Sequence, residues 1–495
     1  MNLKRYTNIS LIVSSAVLFI HFLFRLINQS KLLNTFPLDY VNDISSYLAQ
    51  LFFLKTCGFL SACPYWYNGI TTFESYSPGW FFFTFPLYLI TNNVLISAYT
   101  SMILMFIIGF LLIYILGKNE GLTKIKIFAL FILFFGNAIA IGNFIRLGRL
   151  TSLYGWISFL AIAVVIYFYK DKKLDRHFPL MFIPAYANLI LSHPQELILT
   201  HFLIAGFFLI KDKKEKMMIM VYSAISAILT SFWWYPFISS TLQNTIEAGL
   251  WDSLKNQQLN LLASFALPII FIFVTYIYLK SNRSKKEIIF YSPIILLSAL
   301  MVLRLIPATP IIKEIPLDHY LLFFMFFSLL LFFKTDIEEY KFLNKLIPFL
   351  IIIISILSIT INIANTPLFS EHGNLEKEII SFGDYIDGRL IIPGVIISSY
   401  PQAYYSYFAI YHNVSSASGW AETYASPDYV KRLVETSKSF KEKDCGKFLE
   451  SIKNLSSDNI LATGDDCKIL EKCNLKLVKE TKQVCLYKAF LGKSL

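Results

Sequence analysis

Charged residues are scarce in this chain. Only 16% of its 495 residues are Asp, Glu, Lys or Arg, whereas 56% are hydrophobic. Soluble proteins carry about 25% charged and about 45–50% apolar residues, so these charges are too few to cover a water-facing surface of this size. The composition excludes a soluble enzyme, a disordered protein and a fibrous repeat. It predicts an all-α polytopic membrane protein.

Long apolar runs fill residues 1–364. A run of about 20 apolar residues crosses the hydrocarbon core as a helix, and the sequence predicts eleven such crossings. They lie near 9–28, 94–116, 127–145, 150–170, 178–192, 195–210, 217–235, 260–280, 287–305, 318–333 and 342–364. The apolar stretch Pro78–Ile90 is interpreted as a re-entrant or interfacial helix, so that 79–116 crosses once. Two crossings in 79–116 are the alternative.

Acidic residues are fewer than basic ones, with 33 against 44, and the net charge is +11. Short cytoplasmic loops of membrane proteins are enriched in Lys and Arg, and every second loop of this chain is basic. These loops contain Lys4/Arg5, Lys118/Lys124/Lys126, Lys170/Lys172/Lys173/Arg176, Lys211/Lys213/Lys214/Lys216, Lys280/Arg283/Lys285/Lys286 and Lys334/Lys341/Lys345. The pattern predicts a plasma-membrane protein with a cytoplasmic N-terminus. The charge excess then reflects topology and indicates no nucleic-acid partner.

Residues 365–495 lack long apolar runs. Short β-like runs alternate there with turn signals, and 428–455 has a helical pattern. Because an odd number of crossings precedes this segment, we expect a small α/β or β-rich domain on the external face. Residues 1–364 form the predicted transmembrane domain, with 29–93 as a long first external loop.

Cysteine is rare, and all six residues fall in segments assigned to the external face. Cys57 and Cys63 lie in the first loop, and Cys445, Cys467, Cys473 and Cys485 lie beyond residue 364. Even numbers of cysteines on an oxidising face indicate disulfides. Buried free thiols are the alternative. The cysteines lack the paired C-x-x-C spacing that is typical of a zinc site.

Several catalytic motifs are missing from the sequence. It contains no Walker loop, no G-x-G-x-x-G that opens a helix after a strand, and no H-E-x-x-H. Nucleotide chemistry on the cytoplasmic side is therefore unsupported, and the candidate site residues lie in external loops.

The first external loop carries the most specific pattern in the chain. Its series is Asp43, Tyr47, Gly58, Pro64, Trp66, Gly69, Phe73, Tyr76 and Pro78. This series resembles the first luminal loop of GT-C-fold membrane glycosyltransferases, and it most resembles the prokaryotic 6-pyruvoyl-tetrahydropterin-synthase-related membrane proteins. The stretch SFWWYPFI at 231–238 and the HPQE turn that begins at His193 are similar to further features of that family. This sequence departs from the family pattern in two places: Ile70-Thr71 stands where a proline is expected, and Ser77-Pro78 stands where a pair of prolines is expected.

The resemblance implies a GT-C-like fold and a sugar donor linked to polyprenyl or dolichyl phosphate. In such enzymes an acidic residue of the first loop acts as a base or as a metal ligand. The resemblance implies that Asp43 is the first candidate for this acidic residue and Asp39 the second. It also implies Mg²⁺ or Mn²⁺ as the candidate cofactor. Asp43 also precedes a helical run, so a plain helix N-cap is the alternative interpretation.

The leaving phosphate requires cationic partners at the outer interface. The candidates are Arg146, Arg149, His193, Arg304, Lys313 and His319, with Glu74 in the loop that would cover the donor. Charges at membrane interfaces are costly and are functional candidates by default. Alternatively, the two arginines of RLGRL snorkel or pair with Glu196 or Asp318, and His193 caps a helix.

The leading hypothesis is a membrane glycosyltransferase that transfers a sugar to an external glycan, glycolipid or glycoprotein acceptor. Its partners would be membrane lipid, the lipid-linked donor and that acceptor. One alternative is a non-catalytic GT-C-like scaffold of the cell envelope. Another is a lipid-sugar transporter or flippase, which predicts internal repeats and charges at mid-membrane. The sequence shows no internal repeat, and charges within the predicted spans are nearly absent.

Overall fold

The computed structural model is 72% helical. It describes residues 3–38, 42–244, 262–282, 284–309, 312–335, 341–393, 399–420 and 424–489. Asp39, the second acidic candidate, and Arg283 of one basic loop lie outside the described residues.

Each predicted apolar segment coincides with helical structure. The helices are α1 (Leu3–Gln29), α2 (Ile44–Thr56), α3 (Gly79–Thr91), α4 (Val94–Asn119), α5 (Lys124–Phe135), α6 (Ala138–Arg146, with a π-helical end), α7 (Leu150–Tyr169), α8 (Phe178–Ser192), α9 (Pro194–Ile210), α10 (Lys213–Leu229), α11 (Ser231–Asn244), α12 (Ala263–Asn282), α13 (Lys285–Val302), α14 (Leu317–Lys334) and α15 (Lys341–Asn365). Among the described residues, five helices are long and apolar enough to cross a membrane, or up to seven if each bent pair is one span. The chain is a membrane protein, and the count of eleven crossings stays a prediction.

The chain reverses direction between α3 and α4. Asn92 adopts a left-handed conformation with φ of 51°, and it ends α3. The Asn93 side chain accepts hydrogen bonds from the backbone N–H groups of Leu95 and Ile96, which caps α4. Such a cap satisfies donors that a helix start leaves unpaired. The 13 residues of α3 are too few for a perpendicular crossing, which suits the re-entrant or interfacial interpretation of this stretch.

The basic loops meet at one end of the helix bundle. Lys334 at the end of α14 pairs with Glu120 after α4, and Lys170 after α7 lies 2.6 Å from Glu287 in α13. The Lys211 ammonium after α9 donates to the carbonyl of Tyr169 at 2.7 Å. We call this end the basic end. The starts of α7, α9 and α14 therefore lie at the opposite end, which we call the site end.

The segment after α15 contains both helices and strands. Its elements are α16 (Asn374–Ile380), β3 (Leu390–Ile391), α17 (Ser399–His412), α18 (Pro427–Lys441), α19 (Cys445–Asn454), β4 (Asn459–Thr463), α20 (Asp465–Glu471), β5 (Lys476–Glu480) and β6 (Val484–Lys488). The strands form one sheet of order β3-β4-β6-β5, in which only the β3–β4 pair is parallel. A separate external domain stays a prediction.

The first loop packs against this C-terminal segment. The Ser416 N–H donates to the Tyr65 carbonyl at 2.8 Å, and the Asn68 side chain donates to the Leu455 carbonyl at 2.8 Å. Trp66 is fully buried, and its ring lies edge-on to Tyr424. The loop therefore shares one core with the segment that follows the last apolar helix.

The predicted disulfides are confirmed. Cys57 bonds to Cys63, Cys445 to Cys473, and Cys467 to Cys485. The first bond closes a tight turn that leads to the short hairpin β1 (Ala62–Cys63) and β2 (Ile70–Thr71). Of the other two, Cys445–Cys473 joins the start of α19 to the turn after α20, and Cys467–Cys485 joins α20 to β6. No free cysteine remains in the chain.

Candidate functional site

Asp43 lies immediately before α2, at the site end. The helix-capping role belongs to its neighbour, because the Asn42 side chain accepts from the Ser45 N–H at 2.9 Å. Asp43 makes no side-chain capping hydrogen bond. Its carboxylate instead lies 3.1 Å from the Nε of Arg149. The plain N-cap interpretation of Asp43 does not fit this geometry.

Gly148 allows the RLGRL turn to approach α2 closely. Its φ is +67°, and a Cβ atom at this position would lie 2.5 Å from the Cβ of Ile44. Glycine tolerates both the left-handed backbone and the short separation. The turn is also joined to the loop by the Asp43 N–H, which donates to the Leu147 carbonyl at 2.8 Å. Glycine at this position therefore sets the approach of Arg149 to Asp43.

Arg149 joins two carboxylates from distant parts of the chain. Its Nη1 lies 2.8 Å from Asp318, in the first turn of α14, while its Nε contacts Asp43. Asn143 also donates to the Asp318 carboxylate, at 2.6 Å. We call Asp43, Arg149 and Asp318 the acid–arginine bridge. Its side chains are 26%, 33% and 23% exposed in that order, so a ligand at the site end can reach all three.

The surroundings of Asp43 affect its protonation. Burial raises the pKa of the Asp43 carboxyl above its ordinary value, and the positive charge of Arg149 opposes that rise. A carboxylate with a raised pKa is a stronger proton acceptor when ionised.

Hydroxyl groups form a triangle beside the bridge. Tyr47 and Tyr76 lie 2.8 Å apart at their hydroxyl oxygens, and Thr151 lies 3.2 and 3.1 Å from them. Burial raises the pKa of Tyr76 to about 12, so its hydroxyl stays protonated. These bonds fix α2 and the end of the first loop against the start of α7.

A second ionisable group lies at the turn between α8 and α9. His193 Nδ1 is 2.6 Å from one oxygen of Glu196, and His319 Nδ1 is 3.0 Å from the other. Ser152 donates to the Glu196 carboxylate at 2.7 Å. We call His193, Glu196 and His319 the histidine–glutamate cluster. Because His319 follows Asp318, the first turn of α14 contributes to both the cluster and the bridge.

A cavity of about 260 Å³ adjoins the bridge. Asn143, Arg146, Asp318 and Thr366 are among its lining residues. Arg146 is buried, and its Nε donates to the Pro367 carbonyl at 3.0 Å. The cavity thus has both a guanidinium and a carboxylate in its wall.

Two of the predicted residues are not joined to these groups. Arg304 lies after α13, and its guanidinium carbon is 3.5 Å from the centre of the Phe265 ring. Within the described part of the chain, no ion pair or side-chain hydrogen bond links Arg304 or Glu74 to the acid–arginine bridge. Arg146, Arg149 and His193 do lie at the site end.

Three residues of the site have only minor roles in the sequence-based prediction. Asp318 and Glu196 are named there as alternative partners of the arginines, and His319 is named as one cation among several. The pair Asp318-His319 at the start of an apolar run is a detectable signal, because ionisable residues at the outer end of a span are costly. Their proximity to Asp43 depends on tertiary packing.

No protein-family model matches the sequence, and no curated protein matches it. Solved structures do match. The mycobacterial arabinofuranosyltransferase AftD aligns with a TM-score of 0.62 at 10% identity, over 99% of this chain and 40% of its own length. The apo oligosaccharyltransferase of Archaeoglobus fulgidus aligns with a TM-score of 0.60 at 10% identity, over 92% of this chain and 69% of that chain.

The chain has the GT-C fold. A further match is AglB of Archaeoglobus fulgidus in complex with an inhibitory peptide and a dolichol-phosphate, with a TM-score of 0.56, 10% identity, and coverage of 94% of this chain and 70% of that one. The prediction of the GT-C fold is confirmed. At this identity the likeness concerns the fold, and the chain spans well under half of the arabinofuranosyltransferase. Kinship with the pterin-synthase-related proteins stays a prediction.

Proposed function

We propose that this protein is an integral-membrane glycosyltransferase that uses a polyprenyl- or dolichyl-phosphate-linked sugar and an acceptor at the external face. The observation that carries the proposal is the acid–arginine bridge, an accessible first-loop carboxylate beside a guanidinium at the end of a GT-C bundle opposite the basic loops. The first-loop residues that resemble the pterin-synthase-related proteins support the same assignment. The site end is then external.

Asp43 is the proposed general base. It takes the proton of the acceptor hydroxyl as that oxygen forms a bond to the anomeric carbon of the sugar. The bond from the anomeric carbon to the phosphate oxygen breaks at the same time, and the lipid phosphate leaves with the electron pair. The raised pKa of Asp43 suits this role.

Arg149 is the proposed partner of the leaving phosphate. A guanidinium binds phosphate oxygens through charge-assisted hydrogen bonds, which are stronger than neutral ones. Arg149 already contacts Asp43, so phosphate and base lie beside each other. The neighbouring cavity, with Arg146 in its wall, offers room for the donor headgroup.

The test is sugar transfer by purified protein in lipid nanodiscs, with a panel of dolichyl- and polyprenyl-phosphate-linked pentoses and hexoses. Asp43→Asn should lower the transfer rate by about 10²–10⁴-fold, because it removes the base. Asp39→Asn is tested alone and in the double variant. Asp384→Asn is the matched control, since Asp384 lies in the C-terminal segment, paired with His412.

Equal rates in wild type, Asp43→Asn and the double variant would contradict the assignment. Wild-type protein that transfers none of the panel, yet moves a lipid-linked sugar across proteoliposomes, would favour the flippase alternative.

A further inference from the structure

The histidine–glutamate cluster is assembled from two distant segments. His193 and Glu196 belong to the turn and first helical turn of α9, and His319 belongs to the first turn of α14. Their side chains are 13%, 0% and 4% exposed, respectively. Each offers one ligand atom, and these three atoms lie within 4.8 Å of one another. The two imidazole rings are parallel, with centres 5.6 Å apart.

Hydrogen bonds within the cluster satisfy only part of it. His193 Nδ1 bonds to Glu196 at 2.6 Å. His319 Nδ1 is buried and lies 3.0 Å from the other carboxylate oxygen, in an ion-pair contact that does not meet the geometry of a hydrogen bond. Buried polar atoms without a hydrogen-bond partner are rare in folded proteins, and a bound ion is one recognised cause.

We propose that the histidine–glutamate cluster binds one divalent transition-metal ion, zinc by preference. Two imidazoles and one carboxylate are a donor set typical of zinc, and three protein ligands leave a fourth position for water or substrate. Mg²⁺ prefers sites made of oxygen ligands, so this cluster suits neither it nor the similarly oxygen-seeking Mn²⁺. The ion replaces the proton between His193 and Glu196 and gives His319 Nδ1 a partner.

Metal binding links the three groups through one ion. The ligand atoms already lie within 4.8 Å of one another, and the ligand atoms of a tetrahedral zinc ion, each about 2.0–2.2 Å from the metal, lie roughly 3.4 Å apart. The ion therefore ties the start of α14 to the turn before α9. Asp318 precedes His319, so the same tie holds Asp318 against Arg149; this consequence rests on the proposed function.

The experiment measures metal directly on the full chain, purified without a histidine tag. The protein is stripped with EDTA, equilibrated with zinc, and analysed by mass spectrometry and by competition with a chromophoric chelator. Wild type should retain about one zinc ion per chain. Glu196→Gln and His319→Gln should each weaken zinc binding at least about tenfold. His201→Gln is the matched control, because His201 lies on the same helix and contacts Tyr186.

Cobalt(II) provides a second measurement. A four-coordinate cobalt site should give visible absorption bands in wild type and in His201→Gln, and the bands should be lost in His319→Gln. If Glu196→Gln does not fold, His193→Gln, at the more exposed ligand, serves in its place. Zinc binding in wild type no stronger than in the cluster variants would overturn the proposal.

Metal binding and sugar transfer are separate readouts. A protein that transfers sugar and binds no zinc refutes the metal site and leaves the proposed function standing. A protein that binds zinc through the cluster and transfers no sugar refutes the function and supports the site.

Discussion

Arg149 is the residue on which the electrostatics of the site depend. Its guanidinium contacts Asp43 and Asp318, whose charges would otherwise repel across the cleft. Partly exposed ion pairs contribute little to folding stability, typically about 0–1 kcal/mol. The pairing therefore matters more for the protonation of Asp43 and for ligand binding than for the fold.

The acid side of the pH–rate profile should report on Asp43. The base must be ionised to accept a proton, so the rate falls as the pH falls through the pKa of Asp43, which lies above its ordinary value. Arg149 lowers that pKa, so in Arg149→Ala the acid limb should move to higher pH. Arg149→Lys keeps a positive charge and should move it less. Acid limbs at the same pH in all three proteins would mean that another group titrates.

The sequence could predict single residues of the site better than their contacts. Asp43 was predicted from the resemblance of the first loop to GT-C glycosyltransferases, and Arg149 from its charge at an interface. The two are 106 positions apart, and their contact depends on how α2 packs against the RLGRL turn. Asp318 is 169 positions from Arg149. Composition and periodicity contain no information on such pairs.

Among the elements, the RLGRL turn tolerates little change at Gly148, where both the backbone and the available space require glycine. Gly148→Ala adds the left-handed backbone cost of about 1–2 kcal/mol, and overpacking against Ile44 adds about 1–3 kcal/mol. It should therefore lower the thermal unfolding midpoint and the transfer rate together.

Gly121→Ala is the control for this change. Gly121 has a similar φ of +73°, but a Cβ there meets nothing within 4 Å. It should lower stability by the backbone cost alone and leave transfer unchanged. Equal effects of the two substitutions on both measurements would contradict the role assigned to the close approach.

The helices were predicted from apolar runs and from the polar residues between them, and both are local properties of the sequence. Asn92 and Asn93 follow the apolar stretch Pro78–Ile90, and they end α3 and cap α4. The bend of 49° between α5 and α6 was not predicted, although Gly136-Asn137 interrupts the apolar run 127–145 there and the Asn137 side chain caps α6. The π-helical end of α6 follows this bend and carries Arg146.

At the scale of the whole molecule, the two ends differ in chemistry. The helix α7 has 20 residues and a length of about 30 Å, which separates Arg149 at its start from Lys170 at its end. Basic loops at one end and the candidate site at the other are the arrangement expected for an enzyme whose chemistry is external. The alternation of basic loops in the sequence predicts that the site end is external.

Thiol labelling of intact cells tests the polarity. All six native cysteines are in disulfides, so an added cysteine is the single free thiol. A membrane-impermeant maleimide should label Lys453→Cys and should fail to label Lys124→Cys until the cells are permeabilised. Labelling of Lys124→Cys in intact cells would mean that the protein has the opposite orientation.

The contact between the first loop and the C-terminal segment has a consequence for how the protein is made. The Ser416 hydroxyl bonds to the carbonyl of Tyr65, 351 residues earlier in the chain. At a synthesis rate of about 5–20 residues per second, the loop waits roughly 20–70 s for this partner. During that interval the C-terminal segment does not yet cover Trp66. The nascent chain must therefore be protected from incorrect contacts. The finished fold of the loop is therefore acquired late, only after residue 416 has been synthesised.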